Sequence, residues 1–292
     1  MGPPSVVQSN SSPAYAARAY PPAWRLIAAL LTSIVGLSFP LLLVLVWLAD
    51  DPPISPLMLL RAFTLLIVLP GLAVWLIGRA FTVAVELRPD ELIVWRRDLR
   101  LEVPCATIGQ VRPWIIPLPG SGFALTLRSG RRLRYGLQLR DPTALVQALA
   151  ACGVDGARAA LAHQSLAYAG AKAACTRRRW YHWLGRYVVF ALGPTAVLFN
   201  AHQHIAYGGT FGQYYLVGLA AYARTFAVYW STVVIYLALY ASVWRAGADG
   251  VSLLAAWVAP ARARAVRRAT ELACQVGYYG GVPVLLALRF MA

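Results

Sequence analysis

Apolar positions fall into long unbroken runs separated by one region where they alternate. Residues 26–49, 57–78, 187–201, 214–243 and 270–288 are nearly continuous apolar stretches, and about 20 apolar residues span a bilayer core. These runs predict about five transmembrane helices. Between the second and third runs the period changes from helical to two. Leu99, Leu101 and Val103 alternate with Arg100 and Glu102; Phe123, Leu125 and Leu127 alternate with Ala124, Thr126 and Arg128; Leu133, Tyr135, Leu137 and Leu139 alternate with polar residues or glycine. Each reads as a strand with one wet face. Pro89-Asp90, Arg97-Asp98 and Ser129-Gly130 mark the hairpins between strands. Asp141-Pro142 opens a helix as N-cap and first-turn proline, and Gly153 stops it.

The expected fold is therefore an α-helical polytopic membrane protein with an inserted small antiparallel β-barrel. Residues 1–22, rich in Pro and Ser, read as a disordered cytoplasmic tail. Residues 23–79 form a transmembrane hairpin turned by Asp50-Asp51-Pro52-Pro53, with a kink at Pro70-Gly71. Residues 80–155 form the β domain. Residues 156–186 form an interface helix ending in the basic and aromatic cluster 177–183. Residues 187–245 form a second hairpin, kinked at Gly193-Pro194 and closed by a polar turn that starts at His202-Gln203-His204. Gly247 and Gly250 end the span of that hairpin, and residues 246–269 form an amphipathic basic segment on the inner surface. In the last span, 270–292, the small residues of Gly277-Tyr278-Tyr279-Gly280-Gly281 permit close helix packing.

Composition agrees. The chain is 59% hydrophobic and only 13% charged, with a net charge of +16. This excludes an ordinary soluble domain, and arginine on the inner side of a membrane accounts for the basic balance without nucleic acid. Arginine at 79–186 and 245–268 against a bare 200–213 turn predicts a multi-pass protein of the bacterial cytoplasmic (inner) membrane. The N-terminus and β domain lie inside and the C-terminus outside.

Short antiparallel strands closed by one helix, placed directly after a membrane hairpin, resemble the bacterial pleckstrin-homology-like (PH-like) domains of membrane proteins. The resemblance covers residues 81–155. Its carriers are the segment Leu87-Arg88-Pro89-Asp90-Glu91-Leu92, the Ile108-Gly109-Gln110-Val111 segment, the Gly122–Gly130 hairpin and the capped helix from Asp141. It implies a small barrel used for binding or assembly, and it carries no catalytic set.

Three groups of residues could carry chemistry. Arg61, Arg224 and Arg289 belong to the outer half of the membrane with almost no acid to pair with, and an unpaired cation there costs roughly 2.5 kcal/mol or more. Either each reaches the outer headgroups, or together with His202 and His204 they form a pocket for an anion such as a lipid phosphate or a carboxylate. His202 and His204 are also candidate metal or haem ligands if the turn is extended; on a helix they would point about 200° apart. Thr225, Tyr229, Thr232, Tyr236 and Tyr240 recur at helical spacing as one polar stripe, which must face protein or a cavity. The dispersed cysteines Cys105, Cys152, Cys175 and Cys274 lack zinc or disulfide spacing. Gly-x-Ser-x-Gly, phosphate-loop and His-Glu-x-x-His motifs do not occur. No cofactor is expected.

The first functional expectation is a non-catalytic membrane protein whose PH-like domain recruits a protein partner or assembles a homo-oligomer among membrane lipids. A second is an enzyme or carrier acting on an anionic lipid or solute at the Arg/His cluster. A third is metal or haem handling at His202 and His204.

Overall fold

The computed structural model describes residues 14–48, 55–96, 99–175 and 185–291. The chain divides into two compact units. One contains residues 1–29 and 75–173, the other residues 30–74 and 174–292.

The first unit is built on a seven-stranded antiparallel sheet. Its strands are β1 (Ala14–Tyr20), β2 (Thr82–Leu87), β3 (Glu91–Arg96), β4 (Leu99–Pro104), β5 (Ile108–Pro113), β6 (Gly122–Leu127) and β7 (Gly136–Leu139). They lie in the order β4-β3-β2-β1-β7-β6-β5. The expected alternation holds at Phe123, Leu125 and Leu137, which are buried, and Leu101 and Tyr135 pack against the core; it fails at Thr126, expected on the wet face but buried. The side chain of Leu99 lies outside the described residues.

Two expectations need correction here. Residues 14–20 are not tail but β1, at the centre of the sheet, with Ala17 opposite both Val83 of β2 and Leu139 of β7. Residues 1–13 lie outside the described part. The sheet is also open rather than a closed barrel, because β4 and β5 occupy its two ends and do not pair with each other among the described residues.

Helix α3 (Pro142–Ala151) starts as expected: the Asp141 carboxylate accepts the Thr143 amide at 3.0 Å. Gly153, at φ 83°, takes the left-handed conformation after it. Leu145, Val146 and Leu149 of α3 fill the core beside the sheet. So do Ala157 and Ala160 of α4 (Asp155–Leu161) and Leu166 of α5 (Gln164–Cys175). Residues 155–166 therefore belong to the β domain rather than to an interface helix, since alanines at this spacing let α4 lie close on β5. A Cβ on Gly156 would come within 2.7 Å of Gln110 Cα. The basic-aromatic cluster 177–183 lies outside the described residues.

Among the described residues three helices are long and apolar enough to cross a membrane: the one beginning at Pro22, the one over Pro56–Ala80, and Leu219–Val258. The first two are α1 (Pro22–Leu48) and α2 (Pro56–Ala80, with a π-helical stretch over Thr64–Val68). Their exposed leucines, among them Leu37, Leu41, Leu65 and Leu72, form surfaces that only lipid or another apolar partner would tolerate. The second unit continues with a π-helical turn over Gly185–Val189, α6 (Leu192–Tyr207), α7 (Gly212–Val217), α8 (Leu219–Val258) and α9 (Ala263–Met291).

The expected break at Gly247 and Gly250 does not occur. α8 runs on for 40 residues, about 60 Å at 1.5 Å per residue, or twice the hydrocarbon thickness. Two glycines cost an isolated helix about 1 kcal/mol each, and the contact of α8 with α9 offsets that. Ala248, Ser252 and Ala256 are buried on the continued stretch, so it is one arm of a helical hairpin rather than a piece lying flat on the membrane. Along the same hairpin Gly277 and Gly281 of α9 sit against Trp244 and Tyr240 of α8, whereas Gly280 faces open space. Close packing at small residues, expected from the sequence, is thus borne by two of the three glycines.

Candidate functional site

The polar turn expected at His202 begins six residues later, at Gly208. α6 continues through both histidines to Tyr207 and is terminated by Gly208, at φ 72°. On a helix, positions two apart diverge by about 200°, and the two rings have different company. His202 lies 5.3 Å from the Tyr229 ring and 6.0 Å from the Tyr207 ring. His204 is exposed and shares a 3.1 Å hydrogen bond with Thr210. The extended-turn geometry that would have given them a common ligand is absent, and no group of three or more His, Cys, Asp or Glu residues able to hold a metal occurs among the described residues.

Between the histidines, Gln203 is fully buried and was overlooked. Its Nε2 donates to Gln213 Oε1 at 2.8 Å, and its Oε1 accepts the Gln213 amide at 3.3 Å. Gln213 Nε2 donates onward to Thr225 at 2.9 Å, and the Thr225 hydroxyl donates to the Ala221 carbonyl at 3.0 Å. This chain ties α6, α7 and α8 together. Nothing in the local sequence pattern says that Gln203 and Gln213 face each other. An open groove of about 860 Å³ lies alongside, lined by Phe199, Asn200, Thr210, Tyr222 and Phe226.

Of the three arginines expected in a cationic cluster, the side chains of two are described. Arg61 and Arg224 are exposed on different helices, and the Arg289 side chain lies outside the described residues. The polar stripe on α8 is one face by angle but not by partner. Thr225 closes the glutamine chain, and Tyr229 stacks near His202. Thr232 donates back to the Val228 carbonyl at 2.8 Å. Tyr240 donates to the Gly277 carbonyl at 3.1 Å. Tyr236 and Tyr240 line an apolar cleft of about 290 Å³ with Leu43, Pro194, Leu198 and Val282. Most of the stripe thus serves contacts between or within helices, as lipid surroundings require.

Two arginines, Arg267 and Arg186, are held more tightly. Arg267 on α9 is 7% exposed. Its guanidinium donates to Glu271 at 3.0 Å, to the Ala248 carbonyl at 3.2 Å, to Ser252 at 3.3 Å and to Asp249. A signal existed: Asp249 and Glu271 are the only acids after Asp155. Arg186 lies 4.6 Å from the Tyr278 ring centroid and within 6 Å of the Tyr187 and Tyr279 rings. The Tyr278 hydroxyl donates to the Arg186 carbonyl at 3.1 Å. Both arrangements fix helices and leave no reacting group poised against a cavity.

The first unit offers a different kind of surface, because its charge is segregated along the sheet. Around β2–β4, Arg88 is matched with Glu86 and Glu91 at 3.5 and 3.3 Å and Arg100 with Glu102 at 2.6 Å, while Arg96 of β3 stands over the Phe81 ring at 5.0 Å. Between Glu102 and Asp141 the sequence has no acid at all, yet it carries Arg112, Arg128, Arg131, Arg132, Arg134 and Arg140. Arg131, Arg132 and Arg134 are exposed around the β6–β7 connection. Arg128, also exposed, comes no nearer than 3.9 Å to the exposed carboxylate of Asp155.

Helices long and apolar enough to cross a membrane, together with an antiparallel β domain whose β5–β7 stretch is rich in arginine and holds no acid, point to a membrane protein, and no protein-family model, curated protein or solved structure matches the chain.

Proposed function

We propose that this chain is a non-catalytic protein of the bacterial cytoplasmic membrane whose PH-like β domain recruits an acidic protein partner and so assembles a complex at the membrane surface. The supporting observation is the exposed group Arg131, Arg132 and Arg134 in a stretch without acids. Three like charges on one connection repel one another, and an acidic partner relieves that repulsion while steering association. In this reading α6 and α9 complete five spans, the N-terminus and β domain face the cytoplasm, and the C-terminus lies outside.

The test is affinity purification of the full-length protein from native membranes after cross-linking, comparing the parent with Arg131→Glu/Arg132→Glu/Arg134→Glu. The expected outcome is loss of the co-purifying protein with membrane insertion unchanged. An identical set of co-purifying proteins from both forms would remove the reading.

A further inference from the structure

In the first unit, the loop joining β5 to β6 carries Trp114-Ile115-Ile116-Pro117-Leu118-Pro119. Trp114 is buried and forms a small apolar cluster with Tyr20, Phe81 and Ile77. The Arg25 guanidinium lies 3.9 Å from the centroid of its ring. Arg25 is in the first turn of α1, and Ile77 is in the last turn of α2. Both helices have membrane-crossing length and composition. The root of the loop is therefore pinned within a side chain's length of the place where two spans leave the bilayer.

Beyond that root the loop turns outward. Ile115 and Ile116 are 69% and 62% exposed, an adjacent aliphatic pair that water disfavours. They cannot fold back easily, because the Trp114 amide donates to the Gly122 carbonyl and the Leu118 amide to the Ile116 carbonyl, both at 2.9 Å. Prolines on either side restrict the backbone further. Around the same root, Arg79 stands over Trp75 at 5.5 Å and Arg96 over Phe81 at 5.0 Å. Tryptophan, phenylalanine and arginine at the end of a span are the residues that occupy the headgroup layer.

We infer that Ile115 and Ile116 insert into the lipid leaflet next to the ends of α1 and α2, so that the β domain is seated on the bilayer by a monotopic contact of its own. The occupant is lipid rather than a protein, because the loop shares its root with helix ends that already stand in the headgroup layer. Anionic headgroups complement Arg25, Arg79 and Arg96. The inference depends on α1 and α2 crossing a membrane and not on the acidic partner, so loss or survival of that partner leaves it untouched.

A photoreactive amino acid placed at Ile116, and separately at Ile115, in the full-length protein in native membranes reads the contact directly. The control position is Asp90, exposed in the β2–β3 turn at the end of β2 away from α2. Both loop positions are exposed, so the replacements leave the fold in place. Lipid adducts at 115 and 116 at least tenfold above those at 90 are expected. Lipid adducts no higher than at Asp90, or cross-links predominantly to protein, overturn the inference.

Discussion

Arg267 donates its Nε to Glu271 Oε1, one turn further along α9, at 3.0 Å, and the same guanidinium reaches Asp249 across the hairpin on α8. It is the one described cation that a carboxylate on each of two helices holds out of solvent. Removing one partner of a buried pair costs about 3–5 kcal/mol; Asp249 is 42% exposed and can rehydrate, so about 2 kcal/mol is expected for Arg267→Met. Thermal unfolding of the detergent-solubilised protein should show a lowered Tm, with Arg267→Lys falling between the two because it keeps the charge and loses the fork. An unchanged Tm for Arg267→Met would mean that α8 and α9 do not meet at this point.

Gly281 and Gly280 are neighbours with opposite expectations. A Cβ on Gly281 would overlap the Tyr240 hydroxyl, which donates to Gly277, whereas Gly280 has open space. Gly281→Ala should therefore cost about 1–3 kcal/mol by forcing the ring aside, and Gly280→Ala should be neutral or slightly stabilising. Tyr240→Phe removes the obstructing oxygen, so the double variant Gly281→Ala/Tyr240→Phe should lose less than the sum of the singles. Equal effects at 280 and 281 would contradict the packing of the hairpin.

How far the sequence could be read follows from where the information lies. Apolar runs and period-two alternation are local, and they located α1, α2, α8, β6 and the capped start of α3. The end of α6 was misread because His202 and His204 look like turn residues, while the residue that stops the helix is Gly208. Gly247 and Gly250 look like a stop, but packing against α9 outweighs local propensity. Arg267 was counted as part of a basic stretch because its acids sit 18 residues before it and 4 after. That pairing is legible only once α8 is known to continue to Val258. β1 was missed for a simpler reason: Ala-Tyr-Ala-Ala-Arg-Ala-Tyr is poor in strand formers, and its burial comes wholly from neighbours more than 60 residues away.

Cys105 offers a test by pH. Burial, helped by the neighbouring Cys152 thiol and the charges of Asp90 and Glu91, pushes its pKa up to about 11 from 9.0. A rise of two units means about a hundredfold less thiolate at pH 8 than for an ordinary thiol. Alkylation by iodoacetamide, followed by peptide mass spectrometry, should be at least that much slower at Cys105 in the native protein than after unfolding. The native state favours the protonated thiol. Its contribution to stability is therefore complete below about pH 9 and fades as pH rises toward 11. Rapid labelling at pH 8 would place the thiol at the surface.

β1 carries the sharpest difference between a tail and a structural element. Ala17 is 5% exposed and stands between Val83 and Leu139, so among the described residues β1 alone joins the β4-β3-β2 and β7-β6-β5 halves of the sheet by strand pairing. A carboxylate at Ala17 would be buried against both halves without a partner, a cost of about 3 kcal/mol or more. At Ala14, exposed at the start of the strand, the same change should cost almost nothing. Limited proteolysis of the full-length protein in membranes distinguishes them: Ala17→Asp should open cleavage sites throughout 81–155, as should deletion of residues 1–20, while Ala14→Asp should leave the parent pattern. If residues 14–20 were a tail, all three would digest like the parent, because a solvated segment transmits neither a buried charge nor its own removal to strands that already pair without it.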